Sequence, residues 1–291
     1  VDTNGKLQVW SVKRVGPNIL PYILDEGANF ILPAFLPDSF VGWARKRGYG
    51  LFDDWFVDPT GVEGLSDDYD VANKEVRHVT VDPGLRVGFW RSVGHSYSGF
   101  FKESFMDEVA YATGQDPVAI RLAHTKNNPR LKKVIETAAR EANWGQPMAA
   151  NRFQGIAAHY AFSTYVTEVA EVSVENGHIR VHRVTCVVDC GRAINPDIVR
   201  AQMEGGIIFG MTAALHGNIT LKDGAVQQSN FHDYPMVRMN ESPEIDVHII
   251  DSNEDPTGVG EPGVPPIAAA IANAVFAATG QRLRQLPLRF S

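Results

Sequence analysis

Cysteine is scarce: Cys186 and Cys190 are the only two in 291 residues. That count excludes a disulfide framework, and with no companion Cys/His pair at ligand spacing it excludes a zinc site of the usual kind. In an extended run the two would share a face, as buried thiols, with pairing left open. Basic charge is also short. Lys plus Arg number 27 against 34 Asp plus Glu, a net charge of −7, so no positive field is available to hold a phosphate backbone, and nucleic acid is not an expected partner. Long apolar runs are missing too. The most apolar stretch, Val264 to Gly280, opens on Pro265 and Pro266, carries Asn273 and falls short of the ~20 residues a bilayer requires. It is expected to be a buried helix, and no membrane span is expected in this chain. The chain opens at Val1 without an initiator Met, a basic n-region or a signal-like apolar core, which implies a removed front or a piece of something longer.

What is present is the composition of a folded protein: 44% hydrophobic and 21% charged residues, at a length suited to about two domains. Leu7 to Arg14 follows Asn4-Gly5 and alternates as a strand entering from a hairpin, whereas Asn18 to Thr60 is irregular, with a solvated basic cluster at Arg45, Lys46 and Arg47. Val76 to Val81 alternates again and ends at an Asp82-Pro83-Gly84 turn. From Gly99 to Thr113 the apolar spacing becomes helical. Asp116-Pro117 and Pro129 then open two more helices, since an N-cap carboxylate accepts free amides and proline at the first position has none to leave unpaired. The third helix aligns Leu131, Val134, Ile135, Ala138 and Ala142 and closes at Trp144-Gly145.

Beyond Asn151, two alternating runs, Thr167 to Val174 and His178 to Val188, flank Asn176-Gly177, the dipeptide best suited to a type I′ hairpin. A helix from about Asp197 to Leu215, an Asp223-Gly224 turn, a strand over Ile245 to Ile250 and a last helix from about Pro266 to Thr279 complete the chain. The pattern is α+β, with mixed sheets and packed helices. We divide it into a first part, 1–148, and a second part, 149–291, which holds the hairpin of 167–188 and the loop of 258–263.

Three constellations could carry chemistry. His178 and His182 share a strand face, but such a pair is ordinarily solvated, and the nine histidines include no HExxH. Gly94-His95-Ser96-Tyr97-Ser98 resembles a nucleophile elbow, although Ser98 stands where a glycine is needed and no late loop histidine follows. Gly258-Val259-Gly260-Glu261-Pro262-Gly263 holds one carboxylate in a loop whose glycines let a ligand approach and whose proline stiffens the exit into an apolar helix. Such a carboxylate suits general-base work; an exposed turn is the alternative from spacing alone.

Taken in order, four segments resemble the molybdenum hydroxylase (xanthine dehydrogenase and aldehyde oxidase) family in its molybdopterin-binding large chain. Gly88-Phe89-Trp90-Arg91-Ser92-Val93-Gly94 is similar to the isoquinoline-type variant of the family's Arg-Gly-Phe-Gly segment, and Phe100 to Ala110 keeps the following helix with Glu103 and Glu108. Val188 to Pro196, followed by Ala201-Gln202-Met203-Glu204-Gly205-Gly206, is similar to the stretch whose glutamine approaches the pterin, and Gly258 to Gly263 to the loop of the catalytic glutamate.

The resemblance implies an oxidoreductase that hydroxylates an N-heteroaromatic or aldehyde with oxygen from water, using Glu261 as base. It implies that Arg91, Gln202 and Gly260 contact the cofactor, that Trp90 and Val93 line the substrate pocket, and that no side chain ligates the metal. The implied cofactor is molybdopterin cytosine dinucleotide with molybdenum, shared with an amino-terminal portion of the same large subunit, and electrons pass to [2Fe-2S] clusters on a small partner subunit. Val93 and Thr257 depart from residues common in the family and leave the substrate open. The family's glycine-rich Gly-Phe-Gly segment and its Gln-Gly segment do not occur, so this chain is expected to be the carboxyl-terminal portion of a bacterial large subunit, cytoplasmic or periplasmic. The alternatives are a non-catalytic fragment that binds partner subunits and a hydrolase with Ser96 as nucleophile.

Overall fold

The computed structural model describes residues 1–2, 5–19, 36–37, 39–44, 47, 58–66, 68–81, 84–85 and 87–290. Asn4 of the first turn, most of the irregular stretch, Arg45 and Lys46 of the basic cluster, and Asp82-Pro83 lie outside them.

The centre is a four-stranded sheet in the order β3-β4-β5-β8. Its strands are β3 (Phe153–Ala161), β4 (Thr164–Glu175), β5 (His178–Asp189) and β8 (Glu244–Ile249). β3, β4 and β5 pair antiparallel, and the β4–β5 turn is the expected one, with Asn176 at φ 50° and Gly177 at φ 75°. β8 joins β5 in parallel. A parallel neighbour needs a crossover, supplied here by helix α4 (Pro196–Leu215) and a small hairpin of β6 (Leu221–Lys222) and β7 (Ala225–Val226), with Asp223 and Gly224 at positive φ.

Helices cover both faces, which explains why β5 reads as the nearly continuous apolar run VTCVV rather than a strict alternation. On one face α4 and α5 (Pro265–Thr279) pack on Ala157, Val166, Ala170, Val184, Cys186 and Val188. On the other, Ile156, Ala158, Val169 and Val187 meet α1 (His95–Ala112), α2 (Pro117–Ala123) and α3 (Pro129–Glu141). The α3 stripe is buried as its spacing requires, and the Asp116 carboxylate accepts from the amides of Val118 and Ala119 at 2.8 and 2.9 Å. Both cysteines are buried and unpaired.

The first strand differs from expectation. β1 (Val9–Gly16) does not belong to a hairpin; it pairs in parallel with the distant β2 (Asn73–Thr80) in a separate two-stranded sheet. Trp10 and Leu7 enter the second core beside α1, so burial of these side chains, rather than the local turn, sets the pairing. No described helix is long and apolar enough to cross a membrane.

Glycines set how closely the helices approach. A Cβ at Gly155 of β3 would land on the backbone of Ala270 and Ala274, so α5 crosses the sheet there. On α4, a Cβ at Gly206 would stand 3.2 Å from Gly263 and one at Gly210 2.5 Å from Ile267. Those two bare positions let α4 lie directly against the 258–263 loop and the start of α5.

Candidate active site

The 258–263 loop is held from three sides. The Thr257 amide donates to the Cys190 carbonyl at 3.0 Å, the Gly258 amide to Phe162 at 3.3 Å, and Thr164 Oγ1 lies 2.7 Å from both the Gly258 carbonyl and Thr257 Oγ1. Thr257 is therefore a clamp between this loop and the start of β4. The Val264 amide donates to the Glu261 carbonyl at 3.0 Å, turning the chain into α5 and leaving the Glu261 side chain half-buried.

Arg91 ties the remaining segments together. Its Nε and Nη2 both donate to the Gly260 carbonyl, at 2.8 and 2.5 Å, and Nη2 also donates to Gln202 Oε1 at 3.2 Å. One guanidinium thus joins the 88–94 segment, α4 and the Glu261 loop. A planar fork with several donors suits this geometry, whereas an ammonium could not reproduce it. The Trp90 ring stacks on Phe209 of α4 with centroids 4.6 Å apart, and the Arg91 guanidinium stands 5.5 Å from the same ring.

Ile198, Gln202, Gly205 and Phe209 recur at helical spacing along the face of α4 turned away from the core, while Val199, Met203, Gly206 and Met211 are buried. The 88–94 segment lies across that outward stripe. Where Gly88, Gly205 and Gly260 stand, a Cβ would meet nothing within 4 Å, so these backbones are open to direct approach. Gln202 accepts from Arg91 through its oxygen, which leaves its amide hydrogens available as donors. The wall therefore offers an amide donor, a guanidinium and bare backbone next to one carboxylate, a set that fits a flat, polar ring system.

The turn ahead of α1 is strained: Ser92 has φ 73° and Val93 φ 49°, with the Val93 amide donating to the Trp90 carbonyl at 2.8 Å. Left-handed backbone at a β-branched residue costs about 1–3 kcal/mol and persists where the surroundings impose it, often at functional sites. Ser96 follows in the first turn of the helix. Its hydroxyl lies 2.7 Å from Ser92 Oγ and 2.9 and 3.1 Å from the carbonyls of Arg91 and Val93. These partners all belong to its own turn and no histidine acts on it among the described residues, which removes the geometric basis of the hydrolase alternative. His178 and His182 gather no metal site, and no cluster of three or more His, Cys, Asp or Glu able to hold a metal occurs among the described residues.

The structure thus joins Gln202 and Gly260 through Arg91, places Glu261 next in the chain, and sets Trp90 and Val93 on the segment that Arg91 anchors. Residues that sequence reasoning missed stand beside them. Phe209 was visible as the next member of the Gln202 stripe. Glu63 was not, because only folding brings it near α1. The Gly94 amide bonds to its carboxylate, and a Cβ at Gly94 would collide with the Thr60 carbonyl. Burial raises the Glu63 carboxyl above its ordinary value; the Gly94 amide opposes this, and the negative charges of Asp58 and Glu261 add to it. Glu103 is structural: fully buried, it receives Arg121 Nε at 2.8 Å, the Tyr69 hydroxyl at 2.9 Å and the Ala158 amide at 2.9 Å. Glu108 pairs on the surface with Arg284.

Comparison with known proteins adds the following. Residues 86–243 match the family described as the molybdopterin cofactor-binding domain. The chain is 38% identical over 239 residues to the beta subunit of isoquinoline 1-oxidoreductase from Brevundimonas diminuta, a match covering 80% of this chain and 30% of that protein. It is 34% identical over 240 residues to one of the subunits of nicotinate dehydrogenase from Pseudomonas putida, covering 76% of this chain and 20% of that one. The chain thus spans less than a third of the length of these curated relatives. Its fold resembles quinoline 2-oxidoreductase of Pseudomonas putida, with a TM-score of 0.68 at 13% identity over 76% of this chain and 54% of that one. The aldehyde oxidoreductase of Desulfovibrio desulfuricans gives a TM-score of 0.68 at 16% identity over 98% of this chain and 47% of that one.

Proposed function

The chain belongs to the molybdopterin cofactor-binding domain family, and from that premise we propose that it forms the carboxyl-terminal wall of a molybdenum hydroxylase site in which Glu261 is the general base. The observation that carries this reading is the Arg91 fork, which holds Gly260, the residue before Glu261, against Gln202. A base must sit at a fixed distance from the proton it removes, and a loop tethered at its carbonyl to a helix provides that.

The cofactor, when bound, supplies the two-electron redox chemistry. The residues of this chain do the rest. Gln202 donates its amide to the pterin, Arg91 holds the loop and presents its remaining donors, and bare Gly260 lets the ring system approach. Glu261 accepts a proton on its carboxylate as oxygen from water is transferred to the substrate carbon. Trp90 and Val93 shape the substrate side. The substrate class is an electron-poor N-heteroaromatic or an aldehyde, a reading supported by relatives named for isoquinoline and nicotinate. The cofactor is the cytosine dinucleotide form of molybdopterin, and the electrons leave through [2Fe-2S] clusters on a small partner subunit. Exposed Phe89, Trp90 and Ile198 beside the site are covered by the amino-terminal portion of the same large subunit.

Glu261→Gln tests the assignment. The amide keeps the shape but cannot take a proton, so kcat with an N-heterocycle and a dye acceptor is expected to fall by about 10²–10⁴ while molybdenum and pterin content stay unchanged. Turnover within tenfold of wild type at full cofactor loading would remove Glu261 from the role of base.

A further inference from the structure

Behind Glu63 lies a chain of polar side chains, all but His95 fully buried, that links α1 to β3. His95, in the first turn of α1, places its Nδ1 3.0 Å from His159 Nε2 on β3, and His159 Nδ1 is 2.9 Å from Lys102 Nζ on the same face of α1. Lys102 forms an ion pair with Asp68. At the other end His95 Nε2 stands 3.8 Å from Glu63 Oε2.

The direction of this chain follows from its end group. An ammonium only donates, so His159 Nδ1 must accept, its hydrogen sits on Nε2, and that hydrogen is given to His95 Nδ1; the remaining hydrogen of His95 then points from Nε2 toward Glu63. Burial, with the positive charge of Lys102 and the neighbouring His95, lowers the proton affinity of His159 well below the imidazole norm, in keeping with a neutral ring. Gly64 is shaped to the pair: at φ 74°, a Cβ there would stand 2.6 Å from His159 Cε1 and 2.7 Å from His95 Nδ1. The chain also reaches the site. The His95 ring packs on Phe162 at 5.3 Å, Phe162 accepts from Gly258, and Glu63 is near enough to Glu261 for their charges to interact.

We propose that Glu63 is the second carboxylate of the Glu261 site and takes over the proton that Glu261 accepts, with His95, His159 and Lys102 as positioning residues that aim and hold it. The inference rests on the reading of Glu261 as base. In the step, water between the two carboxylates carries the proton: the O–H bond on Glu261 breaks as one forms on that water, a water O–H bond breaks as one forms on Glu63, Glu261 returns to carboxylate, and Glu63, whose side chain is 33% exposed, releases the proton to bulk water. The titratable groups that face Glu63 are Asp58, which caps the single 3-10 turn Pro59–Gly61, His95 and Tyr97 from α1, and Glu261 from its loop. Only ionised Glu63 can accept, so activity must rise with pH through an acid limb set by Glu63.

The test uses the intact holoenzyme. Glu63→Gln is expected to lower kcat about 10- to 100-fold with KM little changed and to remove the part of the acid limb that Glu63 sets, leaving the part that ionisation of the base itself imposes. Because removing Lys102 alone strands buried Asp68, the positioning chain is probed with the double variant Asp68→Asn/Lys102→Met, which is expected to shift that limb. Independently of turnover, imidazole nitrogen NMR of the histidine-labelled protein is expected to show His159 neutral with its hydrogen on Nε2 at neutral pH, and to lose that fixed tautomer in the double variant. An unchanged pH profile in Glu63→Gln, or a His159 that carries its hydrogen on Nδ1, would overturn the proposal while leaving Glu261 in place. An active Glu261→Gln would overturn both.

Discussion

Replacing Arg91 by lysine keeps the positive charge and removes the fork. In the wild-type structure three donor contacts leave this guanidinium, two to the Gly260 carbonyl and one to Gln202 Oε1. A lysine ammonium could reach one of these acceptors but not align with both. A hydrogen bond from a charged donor contributes about 1.5–3 kcal/mol net when well shielded. Arg91 is only half-buried, so losing the alignment should cost about 1–2 kcal/mol in holding the loop against α4. At about 1.4 kcal/mol per decade, the fraction of molecules with Glu261 correctly placed, and with it kcat/KM, falls roughly 5- to 30-fold. The assay is steady-state oxidation of an N-heterocycle with a dye acceptor, alongside molybdenum and pterin content. Arg91→Met, which also loses the stacking on Phe209, should lose more. If Arg91→Lys retained kcat/KM within twofold of wild type at full cofactor loading, the tether would not position the base and the argument from the fork would fail.

Further predictions concern the scaffold. Glu168 is fully buried, lies in register with Cys186 and Ala157, and its carboxylate oxygens make no hydrogen bond among the described residues. Burial raises its proton affinity well above the ordinary 4.5, so the folded state holds it neutral. The sign follows: its favourable contribution is complete below the unfolded-state value and is lost as pH rises toward the folded one, at up to about 1.4 kcal/mol per pH unit. Glu168→Gln should therefore raise the melting temperature at pH 7 and leave it nearly unchanged at pH 4; equal effects at both would refute a neutral carboxyl. Arg121→Met leaves Glu103 buried without its cation and should cost about 3–5 kcal/mol in chemical denaturation. Most of that should return in the double variant with Glu103→Gln. Gly155→Ala puts a methyl into the backbone of α5, which should destabilise by about 1–3 kcal/mol; a neutral effect would mean that α5 does not cross β3 this closely.

Near-neighbour chemistry was legible without coordinates. Asp116 caps α2 through its own carboxylate, Asn176-Gly177 takes the positive φ values of its turn, and Leu131 to Ala142 line a buried stripe. Each depends on atoms a few residues apart. The candidate site was legible only as segments. Its motifs named Arg91, Gln202, Gly260 and Glu261 but carried no information on which atoms would touch, and the polar chain behind Glu63 left no motif at all.

The sequence by itself determined the α+β class, the starts of the proline-led helices, the β4–β5 turn and the loop in which the candidate base sits, because capping, turn conformation and apolar spacing act over a single turn or strand. The tertiary structure alone decided that β1 lies parallel to β2, that Arg91 bonds to residues 111 and 169 positions away, and that Glu63, His95, His159 and Lys102 form one line. Contacts at such separations form only when the whole core closes. The bare glycines at 155, 206 and 210 then fix how near α4 and α5 come, and so where the carboxylate stands.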